Sequence, residues 1–235
     1  MKNHPVLYSY RRCPYAMRAR MGIYLSGLQV EQREIVFWDK PEPMLKASPK
    51  GTVPVLILAD GQVIDESRDI LFWTMNQTEQ ACSELIPQDS ELKLQMAQWI
   101  DRNDEEFKVW LDKYKYADRF PENSQTYYRQ QGELFLAEIE QVLSKQAFIV
   151  GDGLTVTDIA LFPFIRQFVN VDKSWFEQAN YPNLKQWLNI HLESDYFKAV
   201  MKNRPVWESE HHPLWVNEPE LQTKDQFRIK ALRLE

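Results

Sequence analysis

The stretch of this sequence best suited to chemistry lies near its start, around one cysteine. Cys13 precedes Pro14 in the segment YSYRRCPYAMRAR, residues 8–20. Proline is favoured at the first position of an α-helix, so Cys13 is predicted to lie at a helix N-terminus. The N–H groups of that terminus carry partial positive charge and stabilise an anion. Because the thiolate is the nucleophilic form of cysteine, this position favours a reactive thiol.

The arginines of the same segment should add to this effect. They are Arg11, Arg12, Arg18 and Arg20. An unperturbed thiol has a pKa of about 8.5, and a positive environment lowers that pKa. We expect exposed arginine side chains, whose effect on the thiol weakens as salt is added. The alternative is a structural cysteine that is buried among solvated arginines.

A reactive Cys13 would need a thiol from another molecule. Residue 16 is alanine, so the segment has no Cys-x-x-Cys pair, and the second cysteine, Cys82, is distant in the sequence. Cys13 must therefore form a mixed disulfide or an adduct with an external thiol. That reaction requires a binding pocket for a small thiol beside the cysteine.

Short strands and helices should position this cysteine. The predicted strands are Val6–Ser9, residues 29–37, residues 53–58 and residues 62–64. One predicted helix begins at Pro14 and ends near Gly27, and a second is capped by Ser67. A right-handed crossover can join the first two strands, which should then be parallel. The Asp60-Gly61 step predicts an antiparallel hairpin for the last two strands. These elements make a small mixed α/β domain.

The remainder of the chain is predicted to be helical. Apolar residues recur at helical spacing in residues 92–114, 127–148, 155–169 and 184–192. The predicted organisation is an α/β domain over residues 1–77, a linker over 78–89, an all-helical domain over 90–203 and a tail over 204–235.

Composition limits the classes of partner and compartment. The 235 residues are 44% hydrophobic and 26% charged, which is typical of a globular protein. The net charge of −6 argues against nucleic acid as a partner. With two cysteines, no apolar signal core and no run long enough for a membrane span, we expect a cytoplasmic protein without a membrane partner.

Residues later in the first domain suit a peptide-like ligand. The main chain of Val53 could pair with an extended peptide, and a cis bond to Pro54 would turn the groups of Val53 towards it. The hydroxyl of Ser67 and the helix start beside it suit a carboxylate, and Glu66 can accept from an ammonium group. Lys40 could reach a second carboxylate. A ligand with a thiol, an amino-acid head and a terminal carboxylate describes glutathione; the alternatives are a plain helix cap and a solvated lysine.

Four segments together resemble the cytosolic glutathione S-transferases, most closely the omega-like class with a catalytic cysteine. They are RRCPYAMRARMGIYLSG, KGTVPVLIL, DGQVIDESRDIL and LTVTDIALFP. The resemblance covers roughly residues 7–201 and implies a thioredoxin-like domain followed by an all-α domain. The last segment also fits a helix capping box, Thr155-x-x-Asp158.

The resemblance also implies roles for single residues. Cys13 falls on the catalytic cysteine, Lys40 on the lysine that binds the glycyl carboxylate, and Val53 on the residue before the cis-proline. Glu66 and Ser67 fall on the pair that binds the γ-glutamyl group. Tyr15 stands where phenylalanine is common. The resemblance further suggests a homodimer, with Arg68 and Asp69 near the subunit contact.

A second, hydrophobic substrate would be expected between the domains. The candidate lining residues are Trp99, Asn103, Phe107 and Trp110, and for each a place in the helical core is an equal alternative. A metal site is not expected, since His211 and His212 stand without further ligands at metal-like spacing.

Three functions remain open from the sequence. The first is a glutathione-dependent thiol transferase or reductase that uses Cys13. The second is a conjugating transferase in which the glutathione sulfur is the nucleophile and Tyr8, Ser9 or Tyr10 supplies a hydroxyl donor. The third is a non-catalytic regulatory partner with the same fold.

Overall fold

The computed structural model describes residues 4–77 and 84–218, which form two compact units. The first unit contains residues 4–77 together with residues 194–218, and the second contains residues 84–193. Cys82 and residues 78–83 of the predicted linker lie outside the described residues, as does the end of the predicted tail.

The first unit is built on a four-stranded mixed sheet. The strands are β1 (Val6–Ser9), β2 (Glu31–Glu34), β3 (Val55–Ile57) and β4 (Val63–Ile64), in the order β2-β1-β3-β4. β1 pairs with β2 in parallel, with Val6 opposite Glu31. β3 pairs antiparallel with both β1 and β4. The structure confirms the predicted parallel first pair and antiparallel hairpin.

Three helices follow the strands of this sheet along the chain. They are α1 (Pro14–Ser26), α2 (Glu42–Ala47) and α3 (Ser67–Gln77). α1 ends at Gly27, whose φ of +69° is readily adopted by glycine. α1 packs so closely on α3 that a Cβ at Gly22 would lie only 2.7 Å from Leu71 Cδ1. No helix was predicted at α2, where prolines are frequent in the sequence. Proline is nevertheless tolerated in the first turn of a helix, which is where it lies in α2.

The secondary-structure elements described in the second unit are all helices. Its helices are α4 (Ser90–Arg102), α5 (Lys108–Lys115), α6 (Gln125–Leu143), α7 (Val156–Val169), α8 (Lys173–Gln178) and α9 (Pro182–Glu193). A π-helical turn, Asn103–Phe107, joins α4 to α5. Phe107 stacks on Phe135 at 4.7 Å between ring centroids and contacts Phe168 at 5.3 Å. These aromatic contacts lie in the core of the unit.

The predicted capping box opens α7. Thr155 accepts from the Thr157 N–H, and Asp158 accepts from the Thr155 N–H at 3.0 Å. Asp158 is fully buried and accepts three further bonds, from the Thr155 hydroxyl, the Ile149 N–H and the Trp187 indole. The cap therefore also joins α7 to the preceding loop and to α9.

A last helix, α10 (Asp195–Val200), belongs to the first unit. It packs on α1, and the carbonyl of Val200 accepts a hydrogen bond from Arg20 at 3.2 Å. The predicted helical domain over residues 90–203 is therefore too long, because its final helix packs on the α/β unit. Helical periodicity shows that a helix forms but does not identify the surface that its apolar face covers.

The segment after α10 covers the free edge of β2. The Trp207 N–H donates to the Glu34 carbonyl at 2.8 Å, and the Gln32 N–H donates to the Leu214 carbonyl at 2.7 Å. This cover satisfies an edge that would otherwise expose unpaired main-chain groups. It also explains why the polar residues EQRE of β2 are buried. The strand predicted over residues 29–37 is therefore shorter in the structure and leaves out the apolar residues 35–37.

Within the described residues, none of the helices is both long enough and apolar enough to cross a membrane.

Candidate active site

Cys13 lies immediately before helix α1, as its neighbour Pro14 predicts. Its main chain is extended, with φ of −73° and ψ of 124°, and Pro14 occupies the first helical turn. The Cys13 N–H donates to the Tyr10 carbonyl at 3.0 Å, and the Cys13 carbonyl accepts from the Met17 N–H at 2.9 Å. The side chain is partly exposed. The thiol is thus fixed at the positive end of a 13-residue helix.

Val53 lies directly against this thiol. Cys13 Sγ is 3.7 Å from the Val53 carbonyl oxygen, and the Val53–Pro54 peptide bond is cis. Both Val53 and Pro54 are buried, so the loop before β3 is held firmly beside the cysteine. The two residues are 40 positions apart, and the sheet order brings them together because β1 and β3 are neighbours.

Lys40 lies beside the same loop. A Cβ at Gly51 would be 3.4 Å from Lys40 Nζ, and Gly51 has a φ of +63°. The Lys40 ammonium group therefore lies beside Gly51, which precedes Val53 by two residues. Glycine at position 51 leaves room for this approach.

Glu66 and Ser67 lie at the start of α3, but they differ in exposure. The Glu66 side chain is 64% exposed, and its carboxylate accepts from Lys50 Nζ at 2.6 Å. Ser67 is 3% exposed and is the first residue of α3 instead of the residue before it. Its hydroxyl oxygen accepts from Arg18 Nη1 at 3.3 Å. The predicted pair is adjacent in space, and the hydroxyl already has a partner from α1.

Lys50 is a residue of this region that the sequence did not indicate. It donates to Asp65 at 3.1 Å as well as to Glu66, and Ser48 donates to Asp65 at 2.7 Å. The hydrogen bond from Ser48 is the main cause that lowers the pKa of Asp65. The bonds to Glu66 and then to Asp65 raise the pKa of Lys50. Lys50 is therefore hydrogen-bonded to both carboxylates at the start of α3.

The arginines around Cys13 are not the exposed set that was expected. Arg18 and Arg20 are fully buried, whereas Arg12 is exposed. Arg12 donates to the Tyr10 hydroxyl at 2.6 Å. Arg20 donates to the carbonyl of Arg11 at 2.8 Å. The expectation of exposed, salt-sensitive arginines is therefore wrong for Arg18 and Arg20. Their guanidinium groups are buried and donate to acceptors within the protein.

The hydroxyl groups before α1 are largely engaged within the protein. The Tyr8 hydroxyl accepts from Arg33 at 2.8 Å, and burial is the main cause that raises the pKa of Tyr8 to about 12. Ser9 is buried, and its hydroxyl oxygen accepts from Arg20. Tyr10 is partly exposed. The arrangement leaves Tyr10 as the accessible hydroxyl of the three.

Tyr15 lies in the first turn of α1. Its side chain is partly buried, and the guanidinium carbon of Arg18 lies 5.9 Å from its ring centroid. Arg18 therefore contacts both Tyr15 and Ser67, two of the candidate ligand-binding residues.

The candidates in the helical unit divide into two kinds. Asn103 is fully buried, and Phe107 is 1% exposed within the aromatic core. These two side chains lie in the core of the unit, which was the alternative to lining a pocket for the second substrate. Trp99 is partly buried against Phe135, and Trp110 is partly buried with its ring 6.4 Å from that of Tyr127.

No cluster of three potential metal ligands occurs among the residues that the structure describes. His211 lies near Glu208, with Nε2 3.4 Å from its carboxylate.

Two family models match this chain. The model of the glutathione S-transferase N-terminal domain matches residues 7–80, and that of the C-terminal domain matches residues 97–189. Together they span well over half of the chain.

Individual relatives are similar at lower identity. Elongation factor 1-gamma of Drosophila melanogaster is 25% identical over 209 residues, which are 86% of this chain and 47% of that protein. The probable glutathione S-transferase parA of Nicotiana tabacum is 25% identical over 210 residues, 86% of this chain and 90% of that protein. The chain thus spans about half the length of the elongation factor that it matches.

A solved structure agrees with these matches. The glutathione S-transferase of Methylobacillus flagellatus, determined with GSH bound, has a TM-score of 0.70 at 25% identity and covers 83% of this chain and 98% of that one. The two family models, the mixed sheet and the helical second unit lead to one conclusion: the chain belongs to the glutathione S-transferase superfamily.

Proposed function

We propose that this protein is a glutathione-dependent thiol transferase or reductase of the omega-like type, with Cys13 as the nucleophile. The observation that supports this most strongly is the contact of Cys13 with the loop before β3. The thiol is 3.7 Å from the Val53 carbonyl and lies at the N-terminus of α1. A thiolate there gains from the helix terminus, which favours negative charge.

Glutathione would bind along the loop before β3 and the start of α3. The main chain of Val53, next to Pro54, would pair with the cysteinyl part of the peptide. Glu66 would accept from the γ-glutamyl ammonium group, and the start of α3 at Ser67 would bind its carboxylate. Lys40 would bind the glycyl carboxylate. The Methylobacillus flagellatus relative was determined with GSH bound, which supports glutathione as the ligand class.

Tyr15 would complete this site from the first turn of α1. Its ring lies against Arg18, whose guanidinium also donates to Ser67. Arg18 would thereby fix the position of Tyr15 relative to Ser67.

The proposed reaction exchanges one disulfide for another. The Cys13 thiolate attacks the glutathione sulfur of a mixed disulfide, forms a bond between Cys13 and glutathione, and releases the substrate sulfur as a thiolate that takes up a proton. A second glutathione, as thiolate, then attacks the glutathione sulfur bound to Cys13. Oxidised glutathione leaves, and Cys13 returns to the thiolate. Overall, the mixed disulfide and one glutathione thiol give the free substrate thiol and one oxidised glutathione.

The direct test is mass spectrometry of the protein after incubation with oxidised glutathione. We expect a mass increase of one glutathionyl group, mapped to the peptide that contains Cys13 and reversed by reduced glutathione. The Cys82→Ser variant is the matched control and should retain the modification. Absence of an adduct on Cys13 would contradict the proposal, as would an adduct confined to Cys82.

A second candidate function is a non-catalytic role in a protein assembly. The similarity to elongation factor 1-gamma over 86% of this chain favours it. Retention on immobilised glutathione separates the two candidates, because the enzyme must bind glutathione and a purely structural partner need not. A conjugation assay with an aryl halide, run beside the reductase assay, tests whether the glutathione sulfur is itself the nucleophile.

The proposal also covers the compartment, the assembly and the second substrate of the enzyme. We expect a cytoplasmic homodimer that acts on a small disulfide or electrophile, with Trp99 and Trp110 as the remaining candidates for contact with that substrate. Gel filtration with light scattering measures the assembly.

A further inference from the structure

We propose that Arg20 is a positioning residue for Cys13: its buried guanidinium holds the loop that precedes the cysteine and supplies a fixed positive charge to the thiolate. This inference rests on the proposed role of Cys13 as the nucleophile.

Arg20 reaches the loop between β1 and α1 through its forked guanidinium group. Nη2 donates to the Arg11 carbonyl at 2.8 Å, and Nη1 donates to the Tyr10 carbonyl at 3.3 Å. Its other acceptors are the Ser9 hydroxyl and the Val200 carbonyl. Arg20 lies two turns beyond Cys13, and helical side chains lean towards the N-terminus, which explains this reach.

The carbonyl of Tyr10 connects Arg20 to Cys13. The oxygen that accepts from Arg20 Nη1 also accepts the Cys13 N–H at 3.0 Å. A shift of this carbonyl would therefore move the main chain that carries the thiol. Arg20 fixes the direction from which Cys13 enters the helix.

Glu34 holds the same loop from strand β2. Its carboxylate accepts the Arg11 N–H at 2.5 Å. Burial is the largest influence on Arg20 and lowers its pKa, whereas Glu34 and then Cys13 raise it. Arg11 also lowers the pKa of Arg20, and Arg204 adds a further positive charge near both Arg20 and Glu34. Around Arg20, the positive charges of Arg11 and Arg204 thus accompany one carboxylate, that of Glu34.

A buried charge differs from an exposed one in its response to salt. Ions screen exposed pairs strongly and buried pairs much less. The contribution of Arg20 to the thiolate should therefore persist at high salt, whereas that of the exposed Arg12 should decline. Arginine also suits this position better than lysine, since a forked group can bind several carbonyls at once.

The test is the rate at which iodoacetamide alkylates Cys13 as pH is varied, measured in a Cys82→Ser background. In alkylation, the thiolate sulfur bonds to carbon and iodide leaves, so the rate reports the thiolate directly. We expect Arg20→Met to slow alkylation about tenfold near pH 6.5. Arg20→Lys keeps the charge and should restore most of that rate, and Glu34→Gln should increase the rate by removing a negative charge.

Arg33→Met is the matched control, because Arg33 is a buried arginine of the same unit that binds Glu31 and Tyr8. Its alkylation profile should equal that of the parent. An equal slowing in Arg33→Met would overturn the inference, as would an unchanged rate in a folded Arg20→Met.

Two further outcomes keep the inference open to refutation. If Arg20→Met does not fold, a parental alkylation rate in Glu34→Gln would overturn it. Alkylation needs no turnover, so this inference can fail while the proposed function stands. Failure of the proposed function appears separately, as disulfide reduction by Cys13→Ser.

Discussion

Lys50 donates to Glu66 at 2.6 Å and thereby places a positive charge beside the carboxylate proposed to bind the γ-glutamyl ammonium group. The Lys50 ammonium also binds Asp65. One lysine thus partly neutralises two neighbouring carboxylates, those of Asp65 and Glu66.

Glu66→Ala should weaken glutathione binding. A hydrogen bond to a charged group contributes about 1.5–3 kcal/mol, and the 64% exposure of this side chain places the expected loss near the lower end of that range. Isothermal titration calorimetry measures the change. Asp60→Asn, an exposed acidic residue in the turn between β3 and β4, is the control and should bind as the parent does. Unchanged affinity in Glu66→Ala would remove the proposed amino-acid subsite.

The capping box of α7 should contribute measurably to stability. Thr155→Ala removes one cap partner and should lower the free energy of unfolding by about 1 kcal/mol. Asp158→Ala leaves several buried donors without an acceptor, so we expect a larger loss of about 3 kcal/mol. Urea unfolding followed by circular dichroism gives both values. Equal losses in the two variants would show that the buried network around Asp158 adds nothing beyond the cap.

His191 should make the protein less stable in acid. Burial lowers the pKa of His191 to about 3 in the folded protein, against an ordinary value of about 6.5 when unfolded. The unfolded chain therefore binds one more proton between these two values, and stability falls as pH decreases through that window.

The slope that His191 contributes is about 1.4 kcal/mol per pH unit. His191→Phe removes the titrating group while keeping a ring beside Trp187 and Phe162, its aromatic neighbours. Denaturant unfolding at several pH values between about 4 and 6.5 should show a shallower decline for the variant. Parallel declines in the two proteins would contradict this assignment.

Features determined by local sequence were predictable. Pro14 marked the start of α1, Gly27 its end, and the spacing from Thr155 to Asp158 the cap of α7. Each depends on residues within a few positions, where main-chain geometry and side-chain type are directly coupled.

Features that depend on distant contacts were not predictable. The polar strand β2 is buried because the segment after α10, far along the chain, forms hydrogen bonds with its edge at Trp207 and Leu214. Arg20 is buried because acceptors on the loop before α1 surround it. In both cases the residue type indicates a surface position, and only tertiary hydrogen bonding reverses that expectation.

The candidate site shows the same division. The positions of Cys13, Val53 and Glu66 in the first unit followed from short sequence motifs. The lining candidates Asn103 and Phe107 proved to be core, because an apolar stripe on a helix does not distinguish a pocket wall from a packed interior.

The most direct test of the central claim compares the turnover of a glutathione mixed disulfide by the parent protein and by Cys13→Ser. Serine hydroxyl is far too weakly acidic to attack a disulfide, so we expect the variant to lose all reductase turnover. Retention on immobilised glutathione should show that its binding site is still formed. Loss of turnover with retained binding is the result that the account predicts. Full reductase activity in Cys13→Ser would contradict it and leave Cys13 as a structural residue at the start of α1.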